Sequence, residues 1–365
     1  GKSVELGATT TETQSQLGRT ETGNKLVDRQ SEVTVTGKNG KISIQSDGDI
    51  TAKAAKVKST GTVDVNAKGK LSVTTEKQSS KEHYDFSNNH HYHLDKESEV
   101  GSVIEGKDGV RLIGQEETTL RQAKVSSEDG KVMVASKGDV LIEEGRNIEH
   151  LDTRNKQKSK GFLTKETEER RHHHDYDLAE GSKLQGKNVE ILSQTSNVSV
   201  KGSDIQAKEN IHLQGNQVRV TASLDKREVQ DSYSFKKSGL DASGKGGVMR
   251  IGYQRGKLNN NGSSYNESVN GSELVAKNGN LSIYAQQDVD VDASRLASGK
   301  DMSITGKNVH LNAMNEQHDS EYHQEQKSTG FGMGFVYDPV SRAKENYRQK
   351  EAQGATKSVV GKAMG

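Results

Sequence analysis

Asn188-Val-Glu-Ile, Asn197-Val-Ser-Val, Asn210-Ile-His-Leu and Gln217-Val-Arg-Val follow one another within residues 188–220. Each puts apolar residues at every second position, the period of a strand with one buried face. Their starts differ by 9, 13 and 7 residues, so steps of 13 and 7 return the pattern after 20. Asn280-Leu-Ser-Ile, Asp288-Val-Asp-Val, Asp301-Met-Ser-Ile and Asn308-Val-His-Leu keep the phase, with steps of 8, 13 and 7. Lys41-Ile-Ser-Ile, Asp49-Ile-Thr-Ala, Thr62-Val-Asp-Val and Lys70-Leu-Ser-Val do the same earlier, and Lys131-Val-Met-Val with Asp139-Val-Leu-Ile repeats the step of 8. Such a turn is too short for a helix pair, and no segment sustains a 3.6-residue apolar period. The pattern predicts an all-β chain: a parallel β-helix, a solenoid of roughly 20 residues per turn whose turns stack about 4.8 Å apart. A sandwich of short hairpins is the competing architecture, but it does not explain a period that keeps its phase across separate blocks.

Composition agrees. Of 365 residues only 29% are hydrophobic, too few for a large two-layer core. A solenoid core is a few side chains wide and needs less. Gly, Asn and Asp before many strands are expected to supply corners at positive φ. Small residues such as Ala52, Ala67, Ala222, Ala293 and Ala313 are expected at tight bends. The single proline, Pro339, fits strands whose amides nearly all donate to a neighbour. With 52 basic and 51 acidic side chains the net charge is +1, which argues against nucleic acid as a partner. Absence of cysteine excludes disulfides, thiolate-ligated metals and a thiol nucleophile. No apolar run approaches the roughly 18 residues of a membrane-spanning helix. The chain starts at Gly1 rather than Met and reads as a piece of something longer.

Polar inserts interrupt the regular blocks. Residues 1–34 read as divergent N-terminal turns or a hairpin. Residues 35–314 read as β-helix repeats broken near 76–99, 146–180 and 225–270. Residues 315–337 read as a fourth insert and 338–365 as a helical or disordered C-terminal segment. Three inserts share a tail: Lys158-Ser-Lys-Gly-Phe, Lys237-Ser-Gly-Leu and Lys327-Ser-Thr-Gly-Phe. The inserts are expected to be hairpins projecting from similar positions on successive turns.

Gly306-Lys-Asn-Val-His-Leu-Asn-Ala, followed by a Glu/His-rich stretch and Lys327-Ser-Thr-Gly-Phe, resembles the haemagglutinin repeats of filamentous haemagglutinin-type exoproteins. The resemblance covers about residues 35–337 and is greatest to the second repeat region of contact-dependent growth inhibition toxins. It implies a secreted, surface-exposed filament exported through an outer-membrane two-partner-secretion transporter. It implies a stalk and delivery region lying before a C-terminal toxin module, meeting the outer membrane or a surface receptor of the target cell and assisting toxin translocation. Such regions carry no catalytic residues, so neither enzyme activity nor a cofactor is expected. The other reading is a filamentous adhesin that binds host-cell or matrix carbohydrate.

Two side-chain groups invite a chemical reading. His91 and His93 share a strand face, as do His172 and His174, so each pair could grip a zinc or nickel ion, although no third ligand is set by spacing. Without a metal they are a solvated polar edge or a proton sensor. Tyr84, Phe86, Tyr92, Phe162, Tyr233, Phe235, Tyr253, Phe331, Phe335 and Tyr337 concentrate in the inserts. They are candidates for envelope contact, or they pack the hairpins onto the solenoid. Asp288, Asp290 and Asp292 alternate on one strand and could stack with Asp301, as catalytic carboxylates do, but an outward polar row explains them more simply.

Overall fold

The computed structural model describes residues 1–245 and 248–336. The C-terminal segment 338–365 and Tyr337 lie outside the described residues. The described chain forms two compact units. The first comprises Gly1–Thr153, His173–Val229 and Ser264–Ser320; the second comprises Arg154–His172, Gln230–Ser263 and the described residues from Glu321 onward.

The first unit contains the expected parallel β-helix. Three parallel sheets run along it, here called I, II and III, with nine, eight and eight strands. One coil shows the path. Asp49–Lys53 lies in sheet I, Lys56–Ser59 in sheet II and Thr62–Ala67 in sheet III, and Lys70–Thr74 returns to sheet I. Register is kept from coil to coil. Val63 lies beside Ile42 and Val110, and Val65 beside Ile44 and Leu112. Like side chains therefore stack, and Val, Ile and Leu from all three sheets form one continuous core. The stacking holds because alternation turns every second side chain inward at each level.

The sequence pattern exposed two strands per coil; the structure has three. The third lies inside the 13-residue step or, where a hairpin interrupts the coil, just after that hairpin. Lys56–Ser59, Val103–Gly106 and Asp204–Ala207 each bury one large apolar side chain, Val57, Ile104 and Ile205. A single inward residue leaves little alternation to detect.

The recurrent strand-initial asparagines have a specific task. Asn188 Oδ1 accepts the Asn210 N–H at 3.1 Å, Asn210 Oδ1 the Asn280 N–H at 2.9 Å, and Asn280 Oδ1 the Asp301 N–H at 3.1 Å. Each amide side chain thus satisfies a corner donor of the next coil.

The role expected of the glycines needs correction. Ala54, Gln122 and Ala293 adopt positive φ as well as Gly202, and these four stand at equivalent corners between sheets I and II. Most glycines are required by space instead. A Cβ on Gly130 would lie 1.8 Å from the Asp108 carbonyl oxygen of the neighbouring coil. Ala52, Ala67 and Ala222 are buried as expected, but Ala293 is half-buried at its corner and Ala313 is exposed.

The inserts follow a strict alternation that corrects their expected spacing. After Ser3–Leu6, Lys70–Thr74, Asp139–Glu143 and Val218–Thr221 of sheet I the chain leaves as long strands, and Asn308–Asn312 leads to the last long strand, Gln317–Val336. After the intervening sheet I strands it turns at once through a positive-φ corner. Projections thus occur on every second coil, not on each. Strand spacing supplies the reason. A hairpin is two strands wide, and neighbouring strands lie about 4.8 Å apart. Two coils rise by the same amount, so hairpins on alternate coils can pair edge to edge without a gap.

Candidate functional site

The long strands build a fourth, antiparallel sheet. It contains Ala8–Leu17, Thr20–Gln30, Glu76–Ser87, His90–Val100, Gly145–Lys160, Thr164–Glu180, Ser223–Lys245, Val248–Asn270 and Gln317–Val336, adjacent in sequence order. Charged clusters hold its strands where they leave the solenoid. Burial pushes the Glu99 carboxyl up, but Arg121, Thr75 and the Arg146 N–H outweigh this and hold it below the usual range. Arg121 grips Glu99 through two bonds of 2.8 and 2.6 Å, and Thr75 donates to it at 2.5 Å. Glu76 is held by Lys53 at 2.7 Å and Lys25 at 3.2 Å, and buried Glu144 by Lys201 at 3.0 Å. A buried carboxylate with such partners fixes the orientation of a strand root.

Further out, in the first unit, lies a histidine–carboxylate array. His83 is opposite His93, Tyr84 opposite Tyr92 and Asp85 opposite His91. The His83 and His93 rings stack at 4.5 Å, and those of His91 and His93 at 4.8 Å. Each imidazole meets a carboxylate: His83 with Asp95 at 2.9 Å, His93 with Asp85 at 3.0 Å, and His91 with Asp152 at 3.1 Å. His150 and His173 both contact Asp175, whose burial raises its carboxyl pKa while the two imidazoles lower it further, leaving it depressed.

Among the described residues, two sets converge enough to share a divalent cation: His91, His93 and Asp152, and His150, His173 and Asp175. The first pairing was legible from strand periodicity. The second pairing was not as expected. His172 meets Asp231, while buried His174 meets Glu149 and stacks on Tyr176. Consecutive residues point to opposite faces, so His173 reaches the array and its neighbours do not. Asp152 and His150 were missed because they lie on a different strand from the histidines and the carboxylate they meet, whereas Asp175 follows His173 by two residues on the same strand face. The histidines' own spacing was the available signal. Asp288, Asp290 and Asp292 are an outward row, taken by Asn308 at 2.7 Å, His310 at 2.8 Å and Asn312 at 2.8 Å.

The aromatic candidates divide into two groups. Tyr84 stacks with Phe86 and tilts against Tyr92, and Tyr233 lies under the Arg170 guanidinium at 5.5 Å. Phe235 is half-buried. Phe162 stands almost fully exposed at a hairpin turn, and Phe86, Tyr253 and Phe331 are exposed too. Phe335 lies in the last described strand.

Residues 163–329 and 251–360 match the family described as hemagglutinin repeat, and together the matches cover more than half of the chain. The chain is a member of the hemagglutinin-repeat family. It is similar to the tRNA nuclease CdiA of Escherichia coli strain STEC_O31, at 28% identity over 209 residues, 54% of this chain and 6% of that protein. Toxin CdiA of Yersinia pestis is 31% identical over 168 residues, 46% of this chain and 5% of its own length. The tRNA nuclease CdiA-2 of Burkholderia pseudomallei strain 1026b is 23% identical over 349 residues, 90% of this chain and 11% of that protein. This hemagglutinin-repeat chain therefore corresponds to a small fraction of the length of each relative. No solved structure matches it.

In the second unit of this hemagglutinin-repeat chain, Glu169 is a half-buried carboxylate held by three cations. Burial raises its pKa, but Lys156, Arg171 and Arg154 bring it down to about 2. They lie 2.8, 2.6 and 2.9 Å from its oxygens. A depressed folded pKa contributes stability that is present above the unfolded value, about 4.5. That contribution is lost as pH falls through about 2. Thermal melting should therefore drop between pH 4.5 and 2, and Glu169→Gln should flatten this slope while lowering the melting temperature at pH 7. An unchanged slope in the variant would remove Glu169 from the account.

Proposed function

We propose that this chain is the non-enzymatic arm of a secreted, two-partner-secretion exoprotein, which brings a contact-dependent toxin to a target cell and assists its translocation. The similarity to several CdiA proteins supports this reading, including one whose printed name is Toxin CdiA. The parent would carry a C-terminal toxin module and leave its producer through a dedicated outer-membrane transporter. The observation that carries the proposal is the alternation of hairpins and corners. A rod needs only corners, as the turns at Ala54, Gln122 and Ala293 demonstrate. The additional antiparallel sheet serves no need of the solenoid core, so it is the surface that meets the target envelope.

The test uses that alternation. In the parent exoprotein, each hairpin is replaced by a corner copied from Lys201–Asp204, and folding is verified by circular dichroism. Loss of target-cell inhibition with attachment retained is the expected result. Loss of attachment itself would instead favour the adhesin reading, in which the sheet binds carbohydrate.

A further inference from the structure

In the second unit the antiparallel strands separate their side chains into bands. Leu240 N donates to Leu163 O at 2.9 Å, His172 meets Asp231, and Arg170 covers Tyr233, all in one register. Ser234 donates to Asn259 at 2.8 Å, and Gly252 approaches Gly332. These contacts align four adjacent strands.

One row across a single face is then Thr167, Lys236, Lys257 and Lys327. The next row outward is Lys165, Ser238, Arg255 and Thr329. All eight line one concave surface. Five of the eight are cations and three carry hydroxyls. One carboxylate, Glu325, offsets them, 2.7 Å from Lys257 and 2.6 Å from Lys327. Lys165, Lys236 and Arg255 are exposed and have no ion-pair partner among the described residues.

The row beyond is apolar: Leu163, Leu240, Tyr253 and Phe331, followed by Ile251 and Met333. All six are exposed; Phe331 is 77% and Met333 67% accessible. Alternation places them on the face of the basic rows. A basic band with hydroxyl donors beside an apolar band matches the order of a phospholipid surface, where phosphates lie next to acyl chains. Free phosphate or a nucleic acid would use the basic rows and leave the apolar row without purpose.

We propose that this face docks onto a membrane surface bearing anionic phosphate headgroups, with Lys165, Lys236 and Arg255 on the phosphates and Phe331 and Met333 at the acyl boundary. The inference rests on the envelope-contact reading above and names its lipid chemistry and its residues.

The test uses the 365-residue chain and vesicles of phosphatidylcholine with or without about 30 mol% phosphatidylglycerol. Flotation should show binding at least about tenfold tighter to the anionic vesicles. The combined Lys165→Gln, Lys236→Gln and Arg255→Gln variant should lose about tenfold of that affinity, as should Phe331→Ser with Met333→Ser. Because the chain has no tryptophan, Met333→Trp supplies a single reporter whose emission should shift to the blue on binding. Four results would each overturn the proposal. These are equal binding to both vesicle types, an unshifted Trp emission on bound vesicles, displacement by inorganic phosphate beyond that by sodium chloride of equal ionic strength, and tighter binding to single-stranded RNA than to vesicles. If vesicles fail to bind while the hairpin-less parent still loses delivery, only the lipid assignment falls.

Discussion

Replacing Leu213 by aspartate is expected to unfold the coils around it. Leu213 is fully buried in sheet III, beside Ile191 of one neighbouring coil and Ile283 of the other. Removing the leucine forfeits about 2–3 kcal/mol of apolar burial. The new carboxylate would have no cation in reach within an apolar column, which adds several kcal/mol. The total, about 5 kcal/mol or more, rivals the whole stability of an ordinary domain. A solenoid has no deeper core to absorb the change, since each coil is held mainly by its neighbours. Hydrogen exchange should show protection lost first in Asn188–Ser193 and Leu281–Ala285, the strands that pair with Ile211–Gly215. Leu213→Ile, which conserves volume, should cost less than about 1.5 kcal/mol. If the aspartate variant keeps native exchange in these strands, the stacked-coil account of stability is wrong.

Gly181→Val is the second large effect, and it acts where a hairpin rejoins the solenoid. A Cβ at this position would lie 1.9 Å from the Gly202 carbonyl oxygen and 2.9 Å from Ser203 Cα. Both atoms are backbone, so no side chain can swing away. The neighbouring residue is part of a buried serine ladder. Ser182 N donates to Ser203 Oγ at 3.1 Å, Ser182 Oγ donates to Glu143 O at 2.8 Å, and Ala123 N donates to Ser182 Oγ at 3.0 Å. Displacing Gly202 breaks this ladder and leaves buried donors without acceptors. Overpacking and the lost bonds together should cost about 4 kcal/mol in urea denaturation. Gly37→Ala is the control, because nothing lies within 4 Å of its Cβ position. Equal losses in the two variants would mean that glycine serves chain flexibility here rather than close approach.

Gly101-Ser102, Gly181-Ser182 and Gly271-Ser272 mark three of the four described hairpin returns, and all three serines are buried. The pair was legible as a repeated dipeptide at long spacing, but its meaning was not. Its partners, the corner carbonyls of Gln122, Gly202 and Ala293, lie on the next coil and are unrelated in sequence type. His91 and His93 were found for the opposite reason: their proximity follows from strand periodicity alone. His173 could not be chosen over His172 and His174 without knowing which face of its strand turns toward His150.

The sequence by itself determined the parallel β-helix, because a solenoid repeats one local condition, an apolar residue at every second position, and a repeated local condition is visible in one dimension. That aromatic residues gather in the polar stretches between the regular blocks is likewise legible there. Only the tertiary structure decided the third strand of each coil, the alternation of hairpins with corners, and the banding of basic and apolar residues across one sheet face. Those features depend on register between strands separated by tens of residues. Backbone hydrogen bonds set that register, and they look alike whatever side chains the strands carry.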